Sequence, residues 1–197
     1  LDRRNVFAMG FYGFEKEKAV WAISNVQFVH QQTNFKIALD GLQKHNVSLS
    51  VPGKFNVYNA AAAFLAAREV CMGIDDQLVA ALKEYTGCKR RFEKVAEVND
   101  ILVFDDYAHH PTEIKAIIEA TREWFPKRRI VAAFQPHTYT RTKALFSGFA
   151  QSFRGVGKVG FMDIYAAARE KVDPNVSSKK LADEATKYKI DAHYTGG

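Results

Sequence analysis

Two polar clusters contain most of the side chains in this sequence that suit small-molecule chemistry. Residues 105–111 read DDYAHHP, and residues 135–141 read QPHTYTR. Each cluster follows a short apolar run that is typical of a buried strand. Ligands of parallel α/β sheets bind beyond the carboxyl ends of the strands. We therefore expect both clusters to lie where a ligand would bind.

Asp105 and Asp106 directly follow the first of these strands. A carboxylate in this position can accept hydrogen bonds from the hydroxyl groups of a ribose. The alternative is that the acids cap the helix predicted from residue 111. The tyrosine and two histidines that follow crowd the same loop, which favours binding over capping.

His109 and His110 raise the question of a metal site. Adjacent imidazoles do not converge easily on one ion, and no HxxxH pattern or suitably spaced carboxylate accompanies them. We assign no metal ligand in this chain. We expect one histidine to face the ligand crevice and the other to face the domain.

His137 and Arg141 lie four residues apart at the start of a predicted helix, so they can share one helical face. A guanidinium group binds a carboxylate through two parallel hydrogen bonds. The alternative is a solvated helix terminus. A cation in the first turn opposes the helix dipole, so we expect an anionic ligand to compensate it.

Asn56 and Asn59 lie in the first turn of an alanine-rich helix. Their amides can cap that helix, or they can donate to and accept from an adenine edge. Arg90 and Arg91 can bind phosphate, or they can form an ordinary basic surface pair.

The elements that must position these residues predict an α/β protein. Residues 1–50 read as short strands and turns, with a turn at 40–41, and two helices follow, from Pro52-Gly53 to Gly73 and over 75–86. Beyond residue 92 strands alternate with helices, which favours a parallel sheet. The predicted strands are 101–104, 129–134, 159–164 and 190–194, and the predicted helices are 111–125, 140–153 and 177–188.

Composition excludes several classes of protein. Of 197 residues 47% are hydrophobic and 25% charged, and no apolar run is long enough to span a membrane. The two cysteines, Cys71 and Cys88, form no zinc pattern. The net charge of +6 is spread along the chain, which fits small anionic ligands as well as nucleic acid. Residues 155–158, GVGK, are followed by valine, so no phosphate-binding P-loop is present in the sequence.

Taken in order, the motifs resemble those of the Mur ligases. Residues 53–62, GKFNVYNAAA, are similar to the family motif G-x-H/F-N-x-x-N-A-x-A, and residues 90–92, RRF, resemble the end of its central domain. Residues 105–113, DDYAHHPTE, and residues 135–141 are similar to signatures of the alanine-adding member. Thr138 departs from that member, which often has arginine there, and leaves the contact from this side chain open.

Two other interpretations stay open. The family member that recycles intact tripeptide also has an HHPT loop, but its second loop resembles EPRSN rather than QPHTYTR. The member that adds meso-diaminopimelate is not one of these two interpretations, because it has DYAHTP in the first loop and lacks QPH. A non-catalytic nucleotide-binding module is the alternative outside these enzymes.

The resemblance implies a domain organisation. Residues 1–94 correspond to the end of a central ATPase-type α/β domain. Residues 95–197 correspond to a Rossmann-like, mostly parallel-sheet, amino-acid-binding domain that is truncated. We therefore expect a fragment that lacks the P-loop and the UDP-sugar domain, and that is inactive alone.

The resemblance also implies a reaction in cytoplasmic peptidoglycan-precursor synthesis. ATP phosphorylates the lactyl carboxylate of UDP-N-acetylmuramate, and the amine of L-alanine displaces phosphate from the acyl phosphate. The expected partners are these three substrates, without nucleic acid or membrane. Magnesium is the expected metal, with its ligands in the missing part of the central domain.

Site residues carry over from the family position by position. The expected ATP-binding residues are Asn56, Asn59, Arg91 and Asp106. The expected amino-acid pocket consists of Tyr107, His109, His137 and Arg141, and the last three are the catalytic candidates.

Overall fold

The chain forms two compact units. The computed structural model describes residues 7–9, 21–29, 31–39, 43–71, 73–167 and 170–196. The first unit consists of Leu1–Asp106 with Glu123–Phe125, and the second of Tyr107–Arg122 with Pro126–Gly197. The boundary at 94/95 that the resemblance implies divides the domains of the family rather than these compact units, and it stays a prediction.

The first unit contains a four-stranded antiparallel sheet with strands in chain order. Its strands are β1 (Phe7–Met9), β2 (Trp21–Val29), β3 (Gln32–Leu39) and β4 (Gln43–Leu49). Along β3 the alternate residues Thr33, Phe35 and Ile37 are buried, which is the period of a strand with one face on a core. The turn predicted at 40–41 lies outside the described residues.

Two helices follow, α1 (Lys54–Val70) and α2 (Asp75–Glu84). The buried residues of α1 recur every three to four positions and pack against the sheet; they are Val57, Ala60, Ala61, Phe64 and Leu65. Gly53 precedes α1 with φ of 90°, a conformation that favours glycine. The helix ends at Val70 with Cys71 as its C-cap, three residues before the end we predict.

A β-hairpin completes the first unit. Strands β5 (Glu93–Val98) and β6 (Ile101–Asp105) are antiparallel and joined by Asn99 and Asp100, both at positive φ. A turn with positive φ at both central residues is the type I′ turn, which commonly connects the two strands of a hairpin. We predict 101–104 as a strand of the parallel sheet; the structure instead pairs it with β5, because this turn folds the chain directly back.

The second unit alternates helices and strands, which confirms the predicted α/β class. Its elements are α3 (Pro111–Trp124, the last two residues of which belong to the first unit), β7 (Val131–Phe134), α4 (Tyr139–Ala144), α5 (Phe146–Ser152), β8 (Lys158–Phe161), α6 (Ser178–Lys187) and β9 (Ala192–Tyr194). Strands β7, β8 and β9 form a parallel sheet in that order.

Aromatic side chains fill the core of the second unit. Phe134 of β7 lies 5.5 Å from Phe149 and 5.3 Å from Phe153 between ring centroids. The single helix that we predict over 140–153 is two helices, because Leu145 leaves the helical conformation with φ of −112° and ψ of 20°. The predicted four-residue spacing of apolar side chains holds within the core, because Phe149 and Phe153 are both buried.

Within the described ranges, no helix is both long and apolar enough to cross a membrane.

Replacement of Phe149, which is fully buried, tests this core. Phe149→Ala should lower the free energy of unfolding by about 3–5 kcal/mol, because it removes buried surface and leaves a cavity. Val172→Ala is the control, since Val172 is 68% exposed and should change stability by less than about 0.5 kcal/mol. Urea unfolding followed by circular dichroism measures both. Equal stability of the two variants would contradict the assigned core.

Candidate functional site

Asp105, the last residue of β6, and Asp106 contact a basic turn. Asp106 is half-buried, and its Oδ2 accepts a hydrogen bond of 2.7 Å from the backbone N–H of Phe92. Asp105 Oδ2 lies 3.6 Å from Arg90 Nε. Arg90 and Phe92 both have positive φ, so the turn that carries Arg91 between them is tightly bent. These contacts direct both acids toward residues 90–92.

The cap of α3 is made by His110 and Glu113. The Nδ1 atom of His110 accepts from the backbone N–H of Thr112 at 3.3 Å. In return, Glu113 Oε2 accepts from the backbone N–H groups of His109 and His110 at 2.9 and 3.1 Å. Glu113 at position N3 binds back to the His110 amide as in a capping box, while the His110 side chain accepts from the N2 amide instead of the N3 amide. His110 therefore has a structural role.

His109 is held in one orientation by its own loop. Its Nδ1 lies 3.0 Å from the carbonyl oxygen of Tyr107, and the two rings are 5.2 Å apart and steeply inclined. A carbonyl oxygen can only accept, so Nδ1 carries the hydrogen, and in the neutral ring Nε2 is the acceptor. The half-buried imidazole can therefore take up a proton at Nε2.

His137 lies outside the helix that we predict it to share with Arg141. Helix α4 begins at Tyr139, and His137 forms a parallel bridge with Tyr165. The N–H of Thr138 donates to the Tyr165 carbonyl at 2.9 Å, and the rings of His137 and Tyr165 stack with centroids 5.6 Å apart. The prediction of one shared helical face is therefore wrong, because the strand-like pairing continues through His137.

Thr138 is the N-cap of α4. Its Oγ1 accepts from the Arg141 backbone N–H at 3.3 Å, and its φ is 66°, which is uncommon for a β-branched residue. The side chain that departs from the alanine-adding member thus caps the helix that carries Arg141.

Glu170 carries a negative charge at the start of α4, where we predict an anionic ligand. Its carboxylate accepts from the backbone N–H groups of Tyr139 and Thr140 at 2.6 and 2.8 Å, and also from the Thr140 hydroxyl. The Thr140 hydroxyl, followed by these two amides and the charge of His137, lowers the pKa of Glu170, and desolvation opposes them only in part. A carboxylate of the chain therefore compensates the dipole of α4, and the anionic ligand expected at Arg141 stays a prediction.

Arg141 remains available to bind an anion. Its side chain is half-buried. Among the residues that the structure describes, its guanidinium group has no hydrogen-bond or ion-pair partner. A guanidinium group in this position can bind a carboxylate ligand through two hydrogen bonds.

Asn56 and Asn59 do not cap α1, which contradicts that alternative. The Asn56 amide donates to the carbonyl oxygen of Pro52 at 2.8 Å, and Asn59 donates to Asn56 Oδ1 at 3.5 Å. The N-cap is Gly53, which has no side chain to cap with. The two side-chain amides therefore form a short series of hydrogen bonds that ends at the exposed Asn59.

Tyr165 and Glu170 are residues of this region that we did not predict. Tyr165 follows β8, so the rule that ligands bind beyond strand carboxyl ends could have drawn attention to it. No local pattern marks Glu170, because it contacts residues 30 and 31 positions earlier.

No group of three or more His, Cys, Asp or Glu side chains able to hold a metal ion occurs in the described part of the chain.

Two family models match the chain. The model described as "Mur ligase, glutamate ligase domain" matches residues 90–195, and the Mur ligase middle domain matches residues 3–67.

Curated relatives include two enzymes with the name UDP-N-acetylmuramate–L-alanine ligase. The chain is 43% identical to the one from Caldanaerobacter subterraneus over 93% of its own length and 39% of the relative. It is 37% identical to the one from Desulfitobacterium hafniense over 93% of its own length and 40% of the relative. The chain therefore spans about two fifths of the length of these relatives.

Solved structures share the fold. A UDP-N-acetylmuramate–alanine ligase from Thermotoga maritima aligns with 92% of this chain and 38% of its own, with a TM-score of 0.77 at 23% identity. A murein peptide ligase from Psychrobacter arcticus aligns with 91% of this chain and 37% of its own, with a TM-score of 0.60 at 26% identity.

The contact of Glu170 with α4 should depend on pH in a defined direction. A lowered pKa means that the contact is fully present above the ordinary glutamate value of 4.5 and is lost as the pH falls through the lower value of the folded state. The backbone amide resonances of Tyr139 and Thr140 should therefore titrate with a midpoint below 4.5 in NMR spectra. This transition should be absent in Glu170→Gln. A midpoint at or above 4.5 would contradict the contact.

Proposed function

The chain belongs to the Mur ligase family, and on that premise we propose that its protein joins L-alanine to the lactyl carboxylate of UDP-N-acetylmuramate with ATP. The observation that carries the proposal is the loop at 135–141, QPHTYTR, which presents Arg141 without a described partner after a parallel strand. The similarity to curated alanine ligases supports the same substrates.

The reaction has two steps. The lactyl carboxylate attacks the γ-phosphorus of ATP, which gives an acyl phosphate and ADP. The amine of L-alanine then attacks the acyl carbon, and phosphate leaves as the amide forms. Positioning and stabilisation of the spread charge provide most of the catalysis in such transfers. Magnesium would neutralise charge on the phosphates.

The first unit supplies the nucleotide contacts in this proposal. The exposed amide of Asn59, supported by Asn56, presents a donor and an acceptor to an adenine edge. Asp106 is oriented by the Phe92 amide, and its carboxylate accepts a hydrogen bond from a ribose hydroxyl in this proposal. Arg91, in the turn that the acids hold, contacts the phosphates.

The second unit supplies the amino-acid contacts. Arg141 binds the α-carboxylate of L-alanine through its guanidinium group. His109 takes the proton that the attacking amine releases, at Nε2, because Nδ1 is committed to the Tyr107 carbonyl. Tyr107 and His137 line the pocket.

Phosphate release tests the proposal. The full-length gene product is incubated with ATP, magnesium and UDP-N-acetylmuramate, and L-alanine is compared with tripeptide, glycine and L-serine. We expect release that requires both the sugar nucleotide and L-alanine. Release with tripeptide alone would assign the protein to tripeptide recycling, and no release with any acceptor would contradict ligase activity.

Replacement of Arg141 tests the amino-acid contact. Arg141→Ala should raise the KM for L-alanine by about 10-fold or more, because a hydrogen-bonded charge pair contributes about 1.5–3 kcal/mol. The KM for ATP should change by less than about twofold. Lys143→Ala is the matched control, since it removes a cation from the same helix that pairs instead with Asp173 at 2.7 Å. Equal increases in both KM values of Arg141→Ala would remove Arg141 from the pocket.

A further inference from the structure

The segment that follows β8 holds the loop that follows β7. The parallel register ends with Phe134 opposite Phe161. The pairing then continues beyond the strands, since Met162 N–H donates to the Phe134 carbonyl at 2.9 Å and Tyr165 N–H to the Pro136 carbonyl at 2.8 Å. The loop at 135–141 is therefore shaped by residues 162–165 as well as by its own sequence.

Glu170, further along the chain after β8, makes another contact with this loop. Its carboxylate accepts from both amides at the amino end of α4 and from the Thr140 hydroxyl. The contact uses the amide groups that a substrate carboxylate would otherwise find there. Glu170 thus acts on the site through α4 and leaves the guanidinium of Arg141 as the group for the substrate.

Helix α4 has six residues, which is too short to be stable through its own hydrogen bonds. Two carboxylates bind it in different ways. Glu170 binds backbone amides at the amino end, whereas Asp173 binds the side chain of Lys143, which is 59% exposed. The pKa of each carboxyl group is lowered, Glu170 chiefly by the Thr140 hydroxyl and Asp173 chiefly by Lys143.

We propose that Glu170 is a positioning residue for the amino-acid subsite. It fixes the first turn of α4, and through that turn it fixes the direction of Arg141 and the bridge that holds His137. The proposal rests on the proposed function for its substrate. It predicts that amino-acid affinity depends on a side chain that does not touch the amino acid.

Glu170→Gln separates this role from general stability. Glutamine keeps the length of the side chain but replaces one acceptor oxygen with an NH2 group, which faces a backbone N–H. Asp173→Asn is the matched control, because it removes the other carboxylate that binds the same helix. Thermal unfolding is measured for both variants, so that a change in KM can be compared at known stability.

Steady-state kinetics of the full-length gene product provide the first readout. Glu170→Gln should raise the KM for L-alanine by about 10-fold, the size expected when a charge-assisted hydrogen bond is lost. The KM values for ATP and UDP-N-acetylmuramate should change by less than about twofold, and Asp173→Asn should leave all three within about twofold. An unchanged KM for L-alanine, or equal increases in all three values of Glu170→Gln, would overturn the proposal.

A second readout does not depend on the substrate. In NMR spectra of the 197-residue chain, Glu170→Gln should shift the backbone amide resonances of residues 137–141 more than Asp173→Asn does. If the wild-type gene product does not use L-alanine, the proposed function fails, and these spectra still decide whether Glu170 orders α4. Resonances of 137–141 that stay in place in Glu170→Gln would overturn the positioning role.

Discussion

The parallel pairing of β7 with β8 is the constraint on which the second unit depends. The buried ring of Phe134 fixes this register, because it packs between Phe149, Phe153 and Phe161. A slip by one residue would turn Phe134 to the opposite face of the sheet. The same register brings Tyr165 beside His137 and Glu170 beside α4. The geometry proposed for the amino-acid subsite is therefore set by the core beneath it.

One kind of interaction recurs at three places in the proposed site. Asp106, Glu113 and Glu170 each accept hydrogen bonds from backbone N–H groups near a basic side chain with a proposed role. Charge-assisted hydrogen bonds of this kind are stronger than neutral ones and restrict the backbone. The turn of Arg91, the loop of His109 and the helix of Arg141 are each ordered in this way. At each of these places, a carboxylate that is bound to backbone amides orders the chain next to the basic side chain.

Local patterns in the sequence predict the elements of the fold well. The apolar period of α3 and the alternation of strands with helices predict elements whose ends lie within a few residues of those observed. The break at Leu145 has no such signal, because the period of Leu145, Phe149 and Phe153 continues across it. The pairing of β6 with β5 is missed because the Asn99-Asp100 turn was not recognised as a hairpin turn.

The contacts within the site were predictable only in part. The residue types and loops were indicated by the sequence, but their partners depend on tertiary structure. The helix dipole predicts an anionic ligand at α4, whereas the carboxylate found there belongs to Glu170, 30 residues from Thr140. Capping of α3 by Asp105 and Asp106 is the alternative that the sequence leaves open, whereas His110 and Glu113 bind the amides at that helix start. Local rules establish that such a partner is needed, and only the fold determines which residue provides it.

A crystal structure of the full-length gene product with L-alanine, UDP-N-acetylmuramate and a non-hydrolysable ATP analogue tests the central claim most directly. The account predicts the alanine carboxylate within about 2.7–3.2 Å of the Arg141 guanidinium nitrogens, with Glu170 still bound to the amides of Tyr139 and Thr140. An alanine carboxylate bound away from Arg141, or one that has displaced Glu170 from those amides, would contradict it.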